Sequence, residues 1–178
     1  IDENSQLADN ILVEGIWQDI YDGIIRVNYV LAKLDDLDFM SAEEIKDMEG
    51  QLKFLRALHY FNLVRLYGGV PLKRAPTTSA DTSHYLSRAT LNEVYSQVIS
   101  DLEDAISLIE NSSIEMATIP AAKALLSKVW LTRKSYDQAL HLAREVYNEL
   151  DYLEEDYAAL FTNELEPSRE ILFYVSAN

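Results

Sequence analysis

Apolar residues recur at spacings of three and four over five long stretches of this chain, and little interrupts them. Glycine and proline, which break such patterns, number only five and four among 178 residues. That is about 5% where ~12% is usual, so long helices with few tight turns are expected. The predicted helices cover about 6–37, 41–67, 90–110, 120–132 and 136–150. A loop over 68–89 and a strand over about 171–175 complete the reading of a single helical domain or fragment.

Several boundaries carry explicit signals. Ser41-Ala42-Glu43-Glu44 and Thr90-Leu91-Asn92-Glu93 each place a hydroxyl at N-cap and a carboxylate three residues on, as in a capping box. Ser135-Tyr136-Asp137-Gln138 is read as a further cap. Gly68-Gly69-Val70-Pro71 stops the second helix, since glycine suits a left-handed C′ position and proline cannot continue. A short additional helix is expected over Glu155 to Phe161. Ile171-Leu172-Phe173-Tyr174-Val175 reads as a strand without an obvious partner, an aggregation hazard that suggests the intact protein continues beyond Asn178.

Ala122 to Glu149 resembles one tetratricopeptide unit, with small residues on its first helix, a turn at Arg133-Lys134, and Tyr136, Ala139 and Ala143 on its second. Such units run about 34 residues and stack on one another. The expected fold is therefore all-α: tetratricopeptide-like hairpins stacked as an α-α superhelix, with a long loop and a short C-terminal strand.

Thirty acidic and fifteen basic residues give a net charge of −15. That balance disfavours nucleic-acid phosphates and anionic membrane faces, both of which need clustered Lys and Arg. No apolar run approaches the ~18 residues of a membrane span. The absence of cysteine excludes disulfides and thiol chemistry. The N-terminus has no initiator Met and no basic n-region, as expected of a processed or truncated chain.

Candidate chemistry is sparse. His59, His84 and His141 form no metal-spacing pair, and there is no Gly-rich phosphate cradle or G-x-S-x-G elbow. His59 lies in an apolar helix and reads as a core histidine. The acidic runs Asp35-Asp36-Leu37-Asp38 and Glu154-Glu155-Asp156 lack an EF-hand pattern and read as solvated faces, so no cofactor or metal is expected. Arg56 interrupts a helix apolar on nearly every side, and a buried guanidinium must be paired with a carboxylate or with exposed carbonyls. Tyr60, Tyr67, Tyr95 and Trp130 fall on core stripes. Tyr85 in the loop is a candidate for stacking on a sugar face, with His84 and Arg74 on the same loop. Trp17 fits either group.

The run Gln51 to Leu72, QLKFLRALHYFNLVRLYGGVPL, resembles the signature segment of the SusD/RagB family. Trp17, Tyr21, Ile24 and Asn28 resemble that family's first helix, and Tyr95, Asp101, Leu102 and Ala105 a later one. Ala121 to Leu126 with Tyr136 to Ala139 resembles its paired tetratricopeptide-like helices, and Glu170 to Phe173 its "E-I-I-F" stretch. Within the signature, Phe54, Leu55, Arg56, Ala57, Tyr60, Phe61, Tyr67, Gly68 and Pro71 are scaffold residues, so the resemblance transfers no ligand contact. It implies a surface-exposed outer-membrane lipoprotein of Bacteroidota that binds oligosaccharide or polysaccharide without cleaving it. A SusC-like TonB-dependent transporter is the implied partner, in the service of nutrient uptake. Members are considerably longer, and their lipid-bearing N-terminal cysteine is not in this chain, so membrane attachment is expected only through an anchor outside it.

Two other functions compete. A generic tetratricopeptide stack serves as a peptide-binding or assembly scaffold. A glycoside hydrolase needs two carboxylates flanking a cleft.

Overall fold

The computed structural model describes residues 11–76, 86–111, 113–150, 153, 157–158 and 170–175. Among them are five α-helices and no strand: α1 (Ile11–Leu31), α2 (Ala42–Tyr67), α3 (Leu91–Leu108), α4 (Ile119–Thr132) and α5 (Tyr136–Glu149). The all-helical expectation holds. Each helix packs on its neighbours in sequence, α1 on α2, α2 on α3, α3 on α4 and α4 on α5, with only slight contact between α2 and α4. That order is what stacked hairpins produce.

The sequence determines the ends. Ser41 and Thr90 accept from the backbone N–H of Glu44 and Glu93, whose carboxylates accept from the Ser41 and Thr90 N–H groups, closing both capping boxes. Thr118 caps α4 in the same way through the Ala121 N–H, and Pro120 sits in the first turn, where its missing donor is not needed. The turn after α4 is a Schellman motif: the Ser135 N–H reaches Trp130 O at 3.0 Å and the Lys134 N–H reaches Leu131 O at 3.0 Å. Lys134, not glycine, takes the positive φ of 62°.

Four expectations are corrected. The first helix does not reach residue 37: after Leu31 the chain tightens into a 3-10 turn over Leu34–Asp36, which buries Leu34. Ser135 precedes α5, but its hydroxyl makes no capping bond, because its ψ of 72° lies outside the extended region that an N-cap residue adopts. Gly68 has the anticipated positive φ of 75°, yet its ψ of −137° is not the left-handed helical value. Ile171–Val175 is not a strand: among the described residues one backbone bond, Tyr174 N–H to Ile114 O at 3.0 Å, engages it. Side chains hold it instead: Phe173 meets Phe54 edge-on at 5.2 Å, and Thr118 Oγ1 donates to Leu172 O at 3.2 Å. The short helix expected over 155–161 lies largely outside the described residues; the two of its residues that are described, Tyr157 and Ala158, have a 3-10 conformation.

The core runs along the shared faces of α1 to α4. Ile24, Tyr60, Phe61, Leu63, Val98, Leu102 and Val129 are fully buried. Burying each side chain of this size contributes roughly 1.5–3 kcal/mol relative to exposure.

Candidate functional site

The described residues on either side of the loop after α2 meet one another. Ala89 N–H donates to Val70 O at 3.1 Å, and the buried Val70 anchors the junction. Gly69 makes this closure possible, because a Cβ there would run into the Ala89 carbonyl oxygen. The loop that begins after Val70 and ends before Ala89 therefore has a fixed base.

That base is held from below by side chains of the core helices. Tyr21 Oη donates to Pro71 O at 2.7 Å. Tyr60 Oη donates to Lys73 O at 2.8 Å and accepts from the Lys73 N–H at 2.7 Å. Asn28 Nδ2 donates to the same Lys73 carbonyl at 3.0 Å. Burial pushes the Tyr60 hydroxyl up to about 12 and raises that of Tyr21 further, so both remain protonated donors at neutral pH.

Asn28 in turn belongs to a buried polar chain. Arg56 is 8% exposed and Asp101 1%. The guanidinium donates from Nε and Nη2 to the two Asp101 oxygens at 2.8 and 2.7 Å, and from Nη1 to Asn28 Oδ1 at 2.8 Å. Desolvation disfavours the Arg56 charge, but the Asp101 pair outweighs it and holds the guanidinium above its ordinary value. Gln97 Nε2 extends the chain to Asp101 Oδ1 at 3.0 Å, and Gln97 Oε1 accepts from Arg74 Nε at 2.6 Å. Arg56 is thus a clamp onto a carboxylate, one of the two partners its sequence context allowed.

Beside the base lies an open cleft of about 290 Å³, walled by Trp17, Gln18, Tyr21 and Asp22 of α1 and by Pro71, Lys73 and Leu86 from the two arms of the loop. Trp17 answers both of its readings. Its ring packs on Tyr21 at 4.8 Å and meets Tyr67 edge-on at 5.0 Å, while also lining the cleft. The Lys73 ammonium lies 5.9 Å from the Tyr21 ring centroid. An aromatic wall with an amide, a carboxylate and an ammonium suits a polyhydroxylated ligand that presents an apolar face and a rim of hydroxyls.

Of the four residues singled out for ligand contact, the structure places Trp17 in this cleft and Arg74 on the α3 side of the loop base, against Gln97. His84 and Tyr85 lie outside the described residues, although Leu86, directly after Tyr85, lines the cleft. The signature residues behave as scaffold: Phe54, Ala57, Tyr60 and Phe61 are buried, Leu55 packs against the core, and Tyr67 Oη donates to Val13 O at 2.7 Å. Gly68 closes α2 through its N–H to Val64 O, and Pro71 supplies both a carbonyl acceptor and cleft wall. Sequence reasoning did not single out Gln18, Asp22 or Lys73 as ligand contacts. Gln18 and Asp22 follow Trp17 by one and five residues on the same helix, a polar–aromatic grouping that periodicity alone reads as a solvated face.

Among the described residues no helix is long and apolar enough to cross a membrane, and no group of three or more His, Asp or Glu is placed to hold a metal ion. The SusD-like family model, described as starch-binding associating with outer membrane, matches residues 2–131. The chain belongs to the SusD-like family. SusD-like protein P25 of Formosa agariphila is 27% identical over 179 residues, covering 96% of this chain and 34% of the relative. SusD-like protein P2 of the same organism is 29% identical over 168 residues, covering 93% and 31%. Among solved structures, a laminarin-binding SusD-like protein is 34% identical with a TM-score of 0.69, over 79% of this chain and 31% of that one. A SusD superfamily protein from Parabacteroides distasonis is 32% identical with a TM-score of 0.77, over 85% and 35%. This SusD-like chain therefore spans about a third of the length of the relatives it matches.

Proposed function

We propose that the intact protein binds an oligosaccharide or polysaccharide at the outer-membrane surface and delivers it, uncleaved, to a SusC-like TonB-dependent transporter. The observation that carries this reading is the match of residues 2–131 to a family described as starch-binding and associated with the outer membrane. The laminarin-binding relative, also a glucan binder by its name, adds support for a carbohydrate ligand. The cleft beside the loop base agrees in character, with Trp17 and Tyr21 as apolar surface and Gln18, Asp22 and Lys73 as hydroxyl partners. The loop residues His84 and Tyr85 and the nearby Arg74 complete the proposed contact set. Attachment to the membrane is through a lipid anchor outside this chain.

The test is affinity electrophoresis and calorimetry of the intact protein against a glycan panel that includes starch and laminarin. Saturable binding to at least one glycan is expected, weakened several-fold by Tyr85→Ala and without release of reducing sugar. Absence of binding across the panel overturns the reading, and sugar release by the pure protein overturns its non-catalytic part. Copurification with a TonB-dependent transporter from detergent-solubilised outer membrane tests the partner.

A further inference from the structure

The chain has three methionines, Met40, Met48 and Met116, and all three line one groove. It holds about 560 Å³ and lies between the N-terminal half of α2 and the connection from α3 to α4, far in sequence from the cleft at Trp17. Leu52 extends its apolar floor, and Phe39, 78% exposed, stands next to Met40 in the sequence. The remaining lining includes Glu43, Glu44, Asp47 and Glu110 and no lysine or arginine.

The groove is built, not frayed. Asp47 Oδ1 accepts from the Glu110 and Asn111 N–H groups at 2.7 and 2.9 Å. The Gln51 amide pairs both ways with Ala117, donating to its carbonyl at 2.8 Å and accepting from its N–H at 2.7 Å. These bonds satisfy four backbone groups of the α3–α4 connection, so the apolar surface above it stands on a fixed wall.

We propose that this groove docks a basic amphipathic helix of a partner protein. Thioether side chains are unbranched and polarisable, which lets one surface fit varied apolar anchors. A helix laid in a groove presents such anchors at three- and four-residue spacing. The four carboxylates select the flanking charges: lysines and arginines beside the anchors are attracted, and an acidic helix of equal hydrophobicity is repelled. This docking is independent of glycan binding at the Trp17 cleft.

The test uses the intact protein and two synthetic 14-residue amphipathic helices with the same leucine face, one bearing lysine and the other glutamate. Calorimetry is expected to give saturable binding of the lysine peptide only, weakened at least tenfold on raising salt from low to high concentration. Met48→Ser with Met116→Ser, and separately Glu43→Gln with Glu110→Gln, should each weaken it five-fold or more. Asp137→Asn with Glu103→Gln, which removes equal charge elsewhere, should leave it unchanged. Equal binding of both peptides, or an equal loss in the control pair, overturns the proposal. Peroxide oxidation provides a readout that needs no variant: the three methionines should oxidise readily alone and be protected by the lysine peptide. Resistance of all three without peptide would mean that the protein covers its own groove, and that too overturns the proposal.

Discussion

Arg56 on α2 and Asp101 on α3 face each other in the interior with two nearly equal N–H···O bonds, 2.8 and 2.7 Å long. The pair does more than join two helices, because its remaining donor fixes Asn28, which holds the Lys73 carbonyl at the loop base. Removing one partner leaves an uncompensated charge in the core. Arg56→Met or Asp101→Leu alone should therefore destabilise the protein by about 3–5 kcal/mol, whereas the double variant should cost much less than the sum. Denaturant midpoints of the three variants check this. Additivity of the two losses would mean that the pair is not coupled.

Arg56 also marks how far the sequence could be read. A cation amid Phe54, Leu55, Ala57 and Leu58 announces that a buried partner exists, but helical periodicity cannot say from which helix it comes. Asp101 carries the matching signal, a lone acid on the Val98, Leu102 and Ala105 stripe, and the two are joined only when α2 and α3 are docked. Capping boxes were legible because hydroxyl and carboxylate lie three residues apart. The Ile171–Val175 segment misled because its composition favours a strand, while strand formation depends on a neighbour that composition does not reveal. Trp17 stayed ambiguous for a physical reason: one face of an indole can serve the core while its edge lines a cleft.

Tyr60 serves Lys73 twice, as donor and as acceptor. Tyr60→Phe keeps the ring in place and deletes both bonds, leaving the Lys73 N–H without its partner. A loss of about 2 kcal/mol is expected. Amide exchange at Lys73 should accelerate more than at Val64 in the helix interior. Uniform acceleration at both sites would place the effect in global stability alone.

Gly69 approaches the Ala89 carbonyl too closely for any side chain, and the obstacle is backbone, not a movable rotamer. Gly69→Ala should therefore force the two arms of the loop apart, costing about 1–3 kcal/mol and widening the cleft between Pro71 and Leu86. Gly68→Ala meets open space but a φ of 75° with a ψ of −137°, so its cost should be backbone strain of about 1–3 kcal/mol. Thermal unfolding compares the two. Glycan affinity should fall more for Gly69→Ala than for Gly68→Ala.

Trp17 separates packing from binding when truncated in steps. Trp17→Phe retains an aromatic against Tyr21 and Tyr67, whereas Trp17→Ala empties the position. Trp17→Ala should cost about 3–5 kcal/mol of stability and Trp17→Phe much less, while both should weaken glycan binding if the indole forms the cleft wall. Equal glycan affinity for Trp17→Phe and the unmutated protein would assign the indole to packing alone.

Three of the groups whose proton affinities change on folding can be tested by pH. Backbone and hydroxyl hydrogen bonds from Ser41 hold the Glu44 carboxyl below its ordinary value, and the Thr90 hydroxyl and N–H do the same for Glu93. A depressed carboxyl contributes stability that is complete above its unfolded value of about 4.3 and lost as pH falls through the folded one. Tyr60 is the opposite case. Burial raises it to about 12, so its contribution is complete below pH 10, the unfolded value, and is lost as pH climbs toward 12. Glutamine at position 44 or 93 can still accept the N-cap N–H but cannot titrate. Glu44→Gln with Glu93→Gln should therefore flatten the acid limb of melting temperature against pH and leave the alkaline limb intact. Tyr60→Phe should do the reverse, lowering the plateau while reducing the loss above pH 10, the remainder of which belongs to the buried Tyr21. An acid limb unchanged in the glutamine variant would show that the capping boxes do not set it.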